Sequence, residues 1–200
     1  MKKYLWILAA AFLLQACSKD EEEGPYVPWR PGDDKEETID LDKATKVMIL
    51  TEPTGKVAWE WTAADSGLSA AEQAWFDLPD EAKPVYNRTC VLVTASGGGV
   101  ALIRIADKKA MFYAKPGGNP HSAEVLPDGN VVVASSTGNL LSVYVYNGAD
   151  SYVSRPAFTM PVHSAHNVVW DRKRGCLWTA TGAQLLKLAY NGKRTDPELT

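Results

Sequence analysis

The sequence predicts an all-β protein built from repeated antiparallel sheets, and three observations support this prediction. Short runs of β-branched and aromatic residues recur along the chain, and Asp-Gly or Gly-Asn turns separate them, as in consecutive β-hairpins. The glycines of four equivalent turns, at positions 55, 99, 138 and 182, are spaced by 44, 39 and 44 residues. Helical periodicity does not alternate with the strands. A repeat of about 40 residues with four short strands per unit predicts a partial β-propeller of about four recognisable blades.

The clearest predicted blade runs from Asn119 to Tyr146. Its first three strands are predicted at residues 122–126, 130–135 and 140–146, and glycine-containing turns separate them. Tight turns of this kind favour glycine because their backbone requires positive φ. The equivalent hairpins of the other blades begin at Val47, Val91 and Leu177.

One insertion interrupts the repeat between the first and second blades, at residues 66–81. Ser69 is a good helix N-cap, and Glu72 three residues later completes a capping box. The pattern predicts one short inserted helix over residues 70–76 that ends before Pro79, since proline disrupts a continuing helix.

The N-terminal segment has the features of an export signal. Two lysines precede an apolar run at residues 4–14, which is too short to span a bilayer. The run ends in Leu-Gln-Ala-Cys, which resembles the lipobox of bacterial lipoproteins. This resemblance implies a signal peptide at residues 1–16, cleavage before Cys17 and attachment of a lipid to Cys17.

An acidic and proline-rich tether is predicted at residues 17–39, before the propeller domain at residues 40–200. Its acidic start resembles the surface-export signal of Bacteroidota lipoproteins, so we expect a lipid-anchored outer-membrane protein exposed at the cell surface. The formal net charge is −3, and the sequence lacks the basic stripe that would neutralise phosphates. The predicted partners are therefore the membrane, through the anchor, and a glycan or surface protein, but not nucleic acid.

Three segments resemble one protein family: residues 94–104, 119–130 and 168–173. The Asn-Pro-His-Ser-Ala-Glu stretch that starts at Asn119 is the most specific of these motifs. The family is an uncharacterised domain-of-unknown-function family of Bacteroidota lipoproteins, expected to be six-bladed propellers. The resemblance covers about residues 45–190. It implies a fold and a cellular address but no reaction, and it implies that four blades form an incomplete ring.

All three histidines are predicted on innermost strands, which line the central channel of a propeller. His121-Ser-Ala and His163-Ser-Ala repeat 42 residues apart, and His166 follows. Together with Glu124, these imidazoles could hold a divalent metal or act as acid and base. Some propeller polysaccharide lyases resemble this arrangement. The alternative is that the histidines form structural hydrogen bonds between blades.

Two further groups are candidates for ligand binding. Asn119, His121 and Ser122 belong to the predicted channel, whereas Trp75 and Phe76 lie in the insertion. Aromatic rings on a loop can stack on sugar rings, although they can also serve to dock the loop onto the first blade.

Three functions remain open from the sequence. The favoured one is a surface lipoprotein that binds a glycan or protein ligand and is not an enzyme, because the sequence has no Gly-x-Ser-x-Gly elbow and no recognisable carboxylate pair. The second is a metal-assisted polysaccharide lyase or hydrolase that uses the channel histidines. The third is a truncated propeller fragment without a complete site.

Overall fold

The structure, a computed structural model, describes residues 39–42, 46–51, 55–149 and 151–200. Within these ranges the chain forms four antiparallel sheets, each made from one continuous stretch of sequence. The predicted signal peptide, Cys17 and almost all of the tether lie outside the described residues. An all-β propeller array is therefore confirmed for the part of the chain that follows the tether.

The strands of each sheet lie in sequence order from the innermost outward. Sheet one contains β1 (Ile39–Asp42), β2 (Lys46–Thr51) and β3 (Lys56–Trp61). Sheet two contains β4 (Pro79–Val85), β5 (Cys90–Ala95), β6 (Val100–Arg104) and β7 (Lys109–Ala114). Sheet three contains β8 (Pro120–Val125), β9 (Val131–Ser135), β10 (Leu140–Tyr144) and β11 (Phe158–Pro161). Sheet four contains β12 (Asn167–Asp171), β13 (Cys176–Ala180) and β14 (Leu185–Leu188).

The prediction of four strands per sheet holds for sheets two and three. Sheets one and four have three strands each within the described residues. After β3 the chain enters the insertion instead of adding an outer strand, and the insertion spans residues 62–78 rather than the predicted 66–81 because β4 already begins at Pro79. After β14 it continues through residues 189–200, which contribute the isolated bridge between Tyr190 and Leu199. Both departures therefore fall on the outermost strand, which has the fewest neighbours.

Apolar side chains fill the gap between each pair of successive sheets. All six residues of β5 are buried, because alternate residues of a strand face opposite sides and both sides of sheet two are covered. Val91 and Val93 pack with Val47 and Trp61 of sheet one, whereas Leu92 belongs to the layer shared with sheet three. This double burial explains why the second strands read as unbroken apolar runs in the sequence.

A third apolar layer joins sheets three and four. Val132 and Leu141 pack there with Val168 and Leu177. Within the described residues, three layers thus connect the sheets in succession, one to two, two to three and three to four. The sheets form an arc of blades around the axis on which the innermost strands lie.

The inserted helix forms where the sequence predicts it. The helix α1 (Ala70–Gln73) begins with Ser69 as N-cap, and the Glu72 carboxylate accepts a hydrogen bond from Ser69 N over 2.8 Å. The next turn, Ala74–Phe76, is 3₁₀ rather than α-helical, as is common at helix ends. None of the helical segments in the described residues has the length and apolarity needed to cross a membrane.

The turn between β5 and β6 clamps the insertion through its glycines. Gly97 N donates to Asp77 O over 2.9 Å, and Gly99 N donates to Trp75 O over 2.8 Å. A Cβ atom on Gly97 would lie 2.5 Å from Ala74 O, so only glycine permits this approach of two backbones. The insertion is therefore held against sheet two as well as against sheet one.

Gly97→Ala should lower the free energy of unfolding by about 1–3 kcal/mol, because the added methyl group collides with backbone atoms that cannot easily move. Gly182→Ala is the matched control, since nothing lies within 4 Å of a Cβ added there and neither glycine has a left-handed φ. Urea denaturation measures the free energy of unfolding of both variants. Equal midpoints for the two would contradict the clamp.

Candidate functional site

The loops that carry the candidate residues meet at one end of the sheets, which we name the upper end. In an antiparallel sheet the first strand starts where the second strand ends, and Pro79 accordingly pairs with Ala95. Neighbouring sheets share this orientation, since Gly138 N donates to Gly118 O over 2.9 Å. The upper end therefore carries the insertion, the turn at residues 96–99 and the loops at residues 115–119 and 162–166.

His121 lies near the start of β8, the innermost strand of sheet three, as predicted. Its Nε2 accepts a hydrogen bond from the Asn119 side-chain amide over 3.0 Å. Its Nδ1 lies 3.6 Å from a carboxylate oxygen of Asp80 on sheet two, and Asp80 accepts a hydrogen bond from Ser96 Oγ over 2.8 Å. The Asn119 Oδ1 is buried without a hydrogen-bond partner among the described residues. His121 thus links two blades and adjoins one unsatisfied acceptor.

His163 and His166 do not lie on an innermost strand, so that part of the prediction is wrong. Both precede β12, which begins at Asn167. The physical reason is a turn at Ser164, whose φ of 53° is left-handed, whereas Ser122 in the matching sequence lies within a strand. The repeated His-Ser-Ala triplets are therefore not structurally equivalent.

Two histidines meet at the channel instead of three. The rings of His121 and His166 pack with centroids 4.4 Å apart and planes inclined by 31°. His163 is exposed, and its Nδ1 lies 3.2 Å from Ser164 Oγ. In the part of the chain that the structure describes, no three His, Cys, Asp or Glu side chains are arranged to hold a metal ion.

Ser122 and Glu124 connect innermost strands. The buried Ser122 Oγ accepts a hydrogen bond from Val168 N over 3.1 Å, and a Glu124 carboxylate oxygen lies 3.4 Å from Trp170 N, which donates to it. Glu81 on β4 accepts a hydrogen bond from the backbone of β8 in the same way, over 3.1 Å. These bonds satisfy N–H groups that an innermost strand cannot pair within its own sheet. The described geometry of Ser122 and Glu124 is that of structural links.

Lys83 on β4 joins these links at the axis. Its ammonium group donates to Ala123 O over 3.0 Å and to Val168 O over 2.8 Å, so one side chain connects three innermost strands. It also lies 3.2 Å from a Glu81 oxygen and 3.9 Å from a Glu124 oxygen. Burial raises the pKa of Glu124, and the positive charge of Lys83 opposes that rise.

The aromatic pair of the insertion divides between core and surface. Phe76 is 2% exposed and packs edge-on against Trp61, with ring centroids 5.5 Å apart. It is not accessible to a ligand, so its predicted place in a binding site is wrong. Consecutive side chains of a 3₁₀ turn project about 120° apart, and Trp75 therefore points in another direction and remains partly exposed.

Trp75 belongs to a cluster of three rings that we name the aromatic platform, formed by Trp75, Tyr113 and Tyr152. The centroids are 6.3 Å apart for Trp75 and Tyr113, 5.9 Å for Trp75 and Tyr152, and 5.2 Å for the two tyrosines. Tyr152 is brought there by backbone pairing, since Tyr113 N donates to Ser151 O and Val153 N donates to Tyr113 O. With 43% of its surface exposed, Tyr152 is the most accessible ring of the platform.

Polar contacts fix the platform at its edges. The hydroxyl of Tyr113 donates to a Glu72 carboxylate oxygen over 2.8 Å, and burial, assisted by this hydrogen bond, raises the pKa of Tyr113 to about 12. Tyr113 therefore stays a neutral donor at physiological pH. The ammonium group of Lys115 lies 5.1 Å from the centroid of the Trp75 ring, which is within the range of a cation–π interaction.

Sequence reasoning did not find Tyr113, Tyr152 or Lys115. Tyr113 and Lys115 share one face of a strand end because they are two residues apart, and that spacing was a usable signal. Tyr152 gave none, because its position depends on how the long connection between β10 and β11 folds back against β7.

Comparisons with known proteins agree with this architecture. A protein-family model described as a family of unknown function (DUF6528) matches residues 1–200. No curated protein matches the chain.

Several solved structures are similar to this chain, and two of them, with TM-scores above 0.5, share its fold. The WD40 β-propeller domain of Doa1 matches with a TM-score of 0.55 and 13% identity, over 74% of this chain and 45% of that one. Hydrazine synthase from Kuenenia stuttgartiensis matches with a TM-score of 0.52 and 16% identity, over 78% and 43%. A protein of unknown function from Bacteroides caccae has a TM-score of 0.49 and 16% identity, over 81% and 55%. The chain thus spans about half the length of these structures.

Lys83→Met should lower the free energy of unfolding by about 1–3 kcal/mol at neutral pH, because carbonyl groups and carboxylates at the axis lose their donor. Partial exposure of the lysine, 23%, keeps this below the cost of breaking a fully buried pair. The loss should grow with pH. Glu124 already has a raised folded-state pKa, so its ionisation costs stability as pH rises through that pKa, and removal of Lys83 raises it further.

Urea denaturation at acidic and at slightly alkaline pH measures this dependence, and Lys109→Met, which changes an exposed lysine on β7, is the control. A deficit for Lys83→Met that is the same at both pH values would contradict the coupling between Lys83 and Glu124.

Proposed function

Since the chain belongs to the family of unknown function DUF6528 and folds as a β-propeller array, we propose that it is a surface-exposed bacterial lipoprotein that binds a glycan. The aromatic platform carries this proposal. Pyranose rings present apolar C–H faces that stack on aromatic rings, and Tyr152 offers a solvent-accessible ring next to Trp75 and Tyr113.

The platform is held rigidly, which favours binding. Hydrogen bonds to the turn at residues 96–99 fix the backbone that carries Trp75. The bond to Glu72 fixes Tyr113, and backbone pairing with β7 fixes the segment that carries Tyr152. A surface whose side chains are already ordered loses little conformational entropy when a ligand binds.

The proposed cellular address depends on the lipobox-like end of the N-terminal segment. In this proposal Cys17 carries the lipid, and the tether at residues 17–39 holds the propeller away from the outer membrane. Recovery of Cys17→Ser in the membrane fraction of the native host, at the level of the unchanged protein, would remove this part of the proposal.

The enzymatic alternative is a metal-assisted polysaccharide lyase or hydrolase. The contact between the His121 and His166 rings favours it, because two adjacent imidazoles could bind a divalent metal whose other ligands come from the substrate or solvent. An enzyme of this kind would shorten a bound polysaccharide, and the shortening would require His121 and added metal. The remaining alternative, a propeller fragment without a complete site, requires that no glycan or protein ligand is retained.

Trp75→Ala should weaken glycan binding by about tenfold, which corresponds to about 1.4 kcal/mol, because one stacking ring is removed. Affinity electrophoresis of the full chain through a panel of polysaccharides, followed by calorimetry on those that retard it, gives the measurement. Trp178→Ala is the matched control, since Trp178 lies on sheet four away from the platform and its loss should leave retention unchanged. Circular dichroism melting of both variants separates lost binding from lost folding.

A panel in which no polysaccharide retards the protein, or in which Trp75→Ala and Trp178→Ala behave alike, would contradict the proposal. Release of shortened chains during the same incubation would favour the enzyme.

A further inference from the structure

The aromatic platform has a positive charge at its edge, and we propose that it selects acidic glycans, with Lys115 pairing with a carboxylate or sulfate on the sugar. This inference rests on the proposed glycan-binding function and narrows it to a class of ligand.

Lys115 follows directly after β7, two residues beyond Tyr113. Its stem passes over Gly98, where a Cβ atom would lie 3.7 Å from the lysine Cε, and its ammonium group reaches 5.1 Å from the Trp75 ring centroid. The Trp75 and Tyr152 centroids are 5.9 Å apart. Both distances are comparable to the length of one sugar unit, so a pyranose stacked on the exposed tyrosine would bring its substituents close to the ammonium group.

The ammonium group of Lys115 is not neutralised within the described residues, where no ion pair involves it. Lys115 contacts the platform through a cation–π interaction with Trp75, which does not neutralise the charge of its ammonium group. The chain carries a formal net charge of −3. An exposed cation without a carboxylate partner beside three aromatic rings is therefore an unusual feature of this surface.

Glu72 does not form an ion pair with Lys115 in the described residues, because both of its carboxylate oxygens accept hydrogen bonds from other donors. One oxygen accepts the hydrogen bond from Tyr113, and the other accepts from Ser69 N and Ser69 Oγ. The Ser69 hydrogen bonds, followed by the Tyr113 bond, lower the pKa of Glu72, so it remains ionised and bound to these donors. A second carboxylate, from a ligand, would find its donor on the Lys115 side of the platform.

The test compares charged and uncharged forms of the same polysaccharide. We expect polygalacturonate or alginate to retard the full chain, and methyl-esterified polygalacturonate, which keeps the rings but loses the charge, to bind about two- to fivefold more weakly, as for one exposed ion pair. Dextran sulfate against dextran separates sulfate from carboxylate recognition. Added salt should weaken binding of the charged forms only.

Variants locate the effect. Lys115→Gln should abolish the difference between the charged and esterified polymers, and Lys115→Arg should keep it. Lys109→Gln, at the other end of the same strand, is the matched control and should change nothing. If the unchanged protein binds charged and esterified polymers equally, and Trp75→Ala binds neither, the selectivity is overturned while the glycan-binding function stands. Absence of binding to every charged and neutral polymer would overturn both.

Discussion

The free edge of each innermost strand is the constraint on which this structure depends. Such a strand pairs with a neighbour in its own sheet on one side, while its other edge faces the axis with unsatisfied N–H and C=O groups. Side chains of the adjacent blade supply the missing partners, from Glu81 to β8 and from Ser122 and Glu124 to β12. Lys83 then donates to the carbonyl groups of both strands. These polar side chains at the axis thus form hydrogen bonds that hold the blades together.

The polar residues at the axis and the proposed binding surface therefore lie in different parts of the molecule. The residues that look most reactive in the sequence, Glu124 and Ser122, are engaged in bonds between blades, and His121 is already bound to Asn119. The accessible rings of the aromatic platform lie farther out, where the insertion meets the outer strand of sheet two. There Phe76 is a buried member of the apolar layer between sheets one and two, whereas the neighbouring Trp75 is partly exposed and contacts Tyr113 at the surface.

The repeat was predictable because it depends on local chemistry. Glycine turns and short apolar runs place β5, β9 and β13 correctly, and the Ser69–Glu72 capping box places the helix. The candidate site was less predictable. A left-handed Ser164 removes His163 from the channel, and a 3₁₀ turn sends Phe76 inward. Tyr152 reaches its place only through pairing with β7, a contact between residues far apart in sequence.

The platform draws its residues from the segment after sheet one, from the last strand of sheet two and from a connection within sheet three. It is consequently a property of one wedge of the propeller and not of the whole circumference. The same three rings would be presented to solvent whether the circle of blades is left open or is completed by other protein. The proposed recognition at this surface therefore needs only three adjacent blades, whereas any chemistry on the axis would need the complete ring.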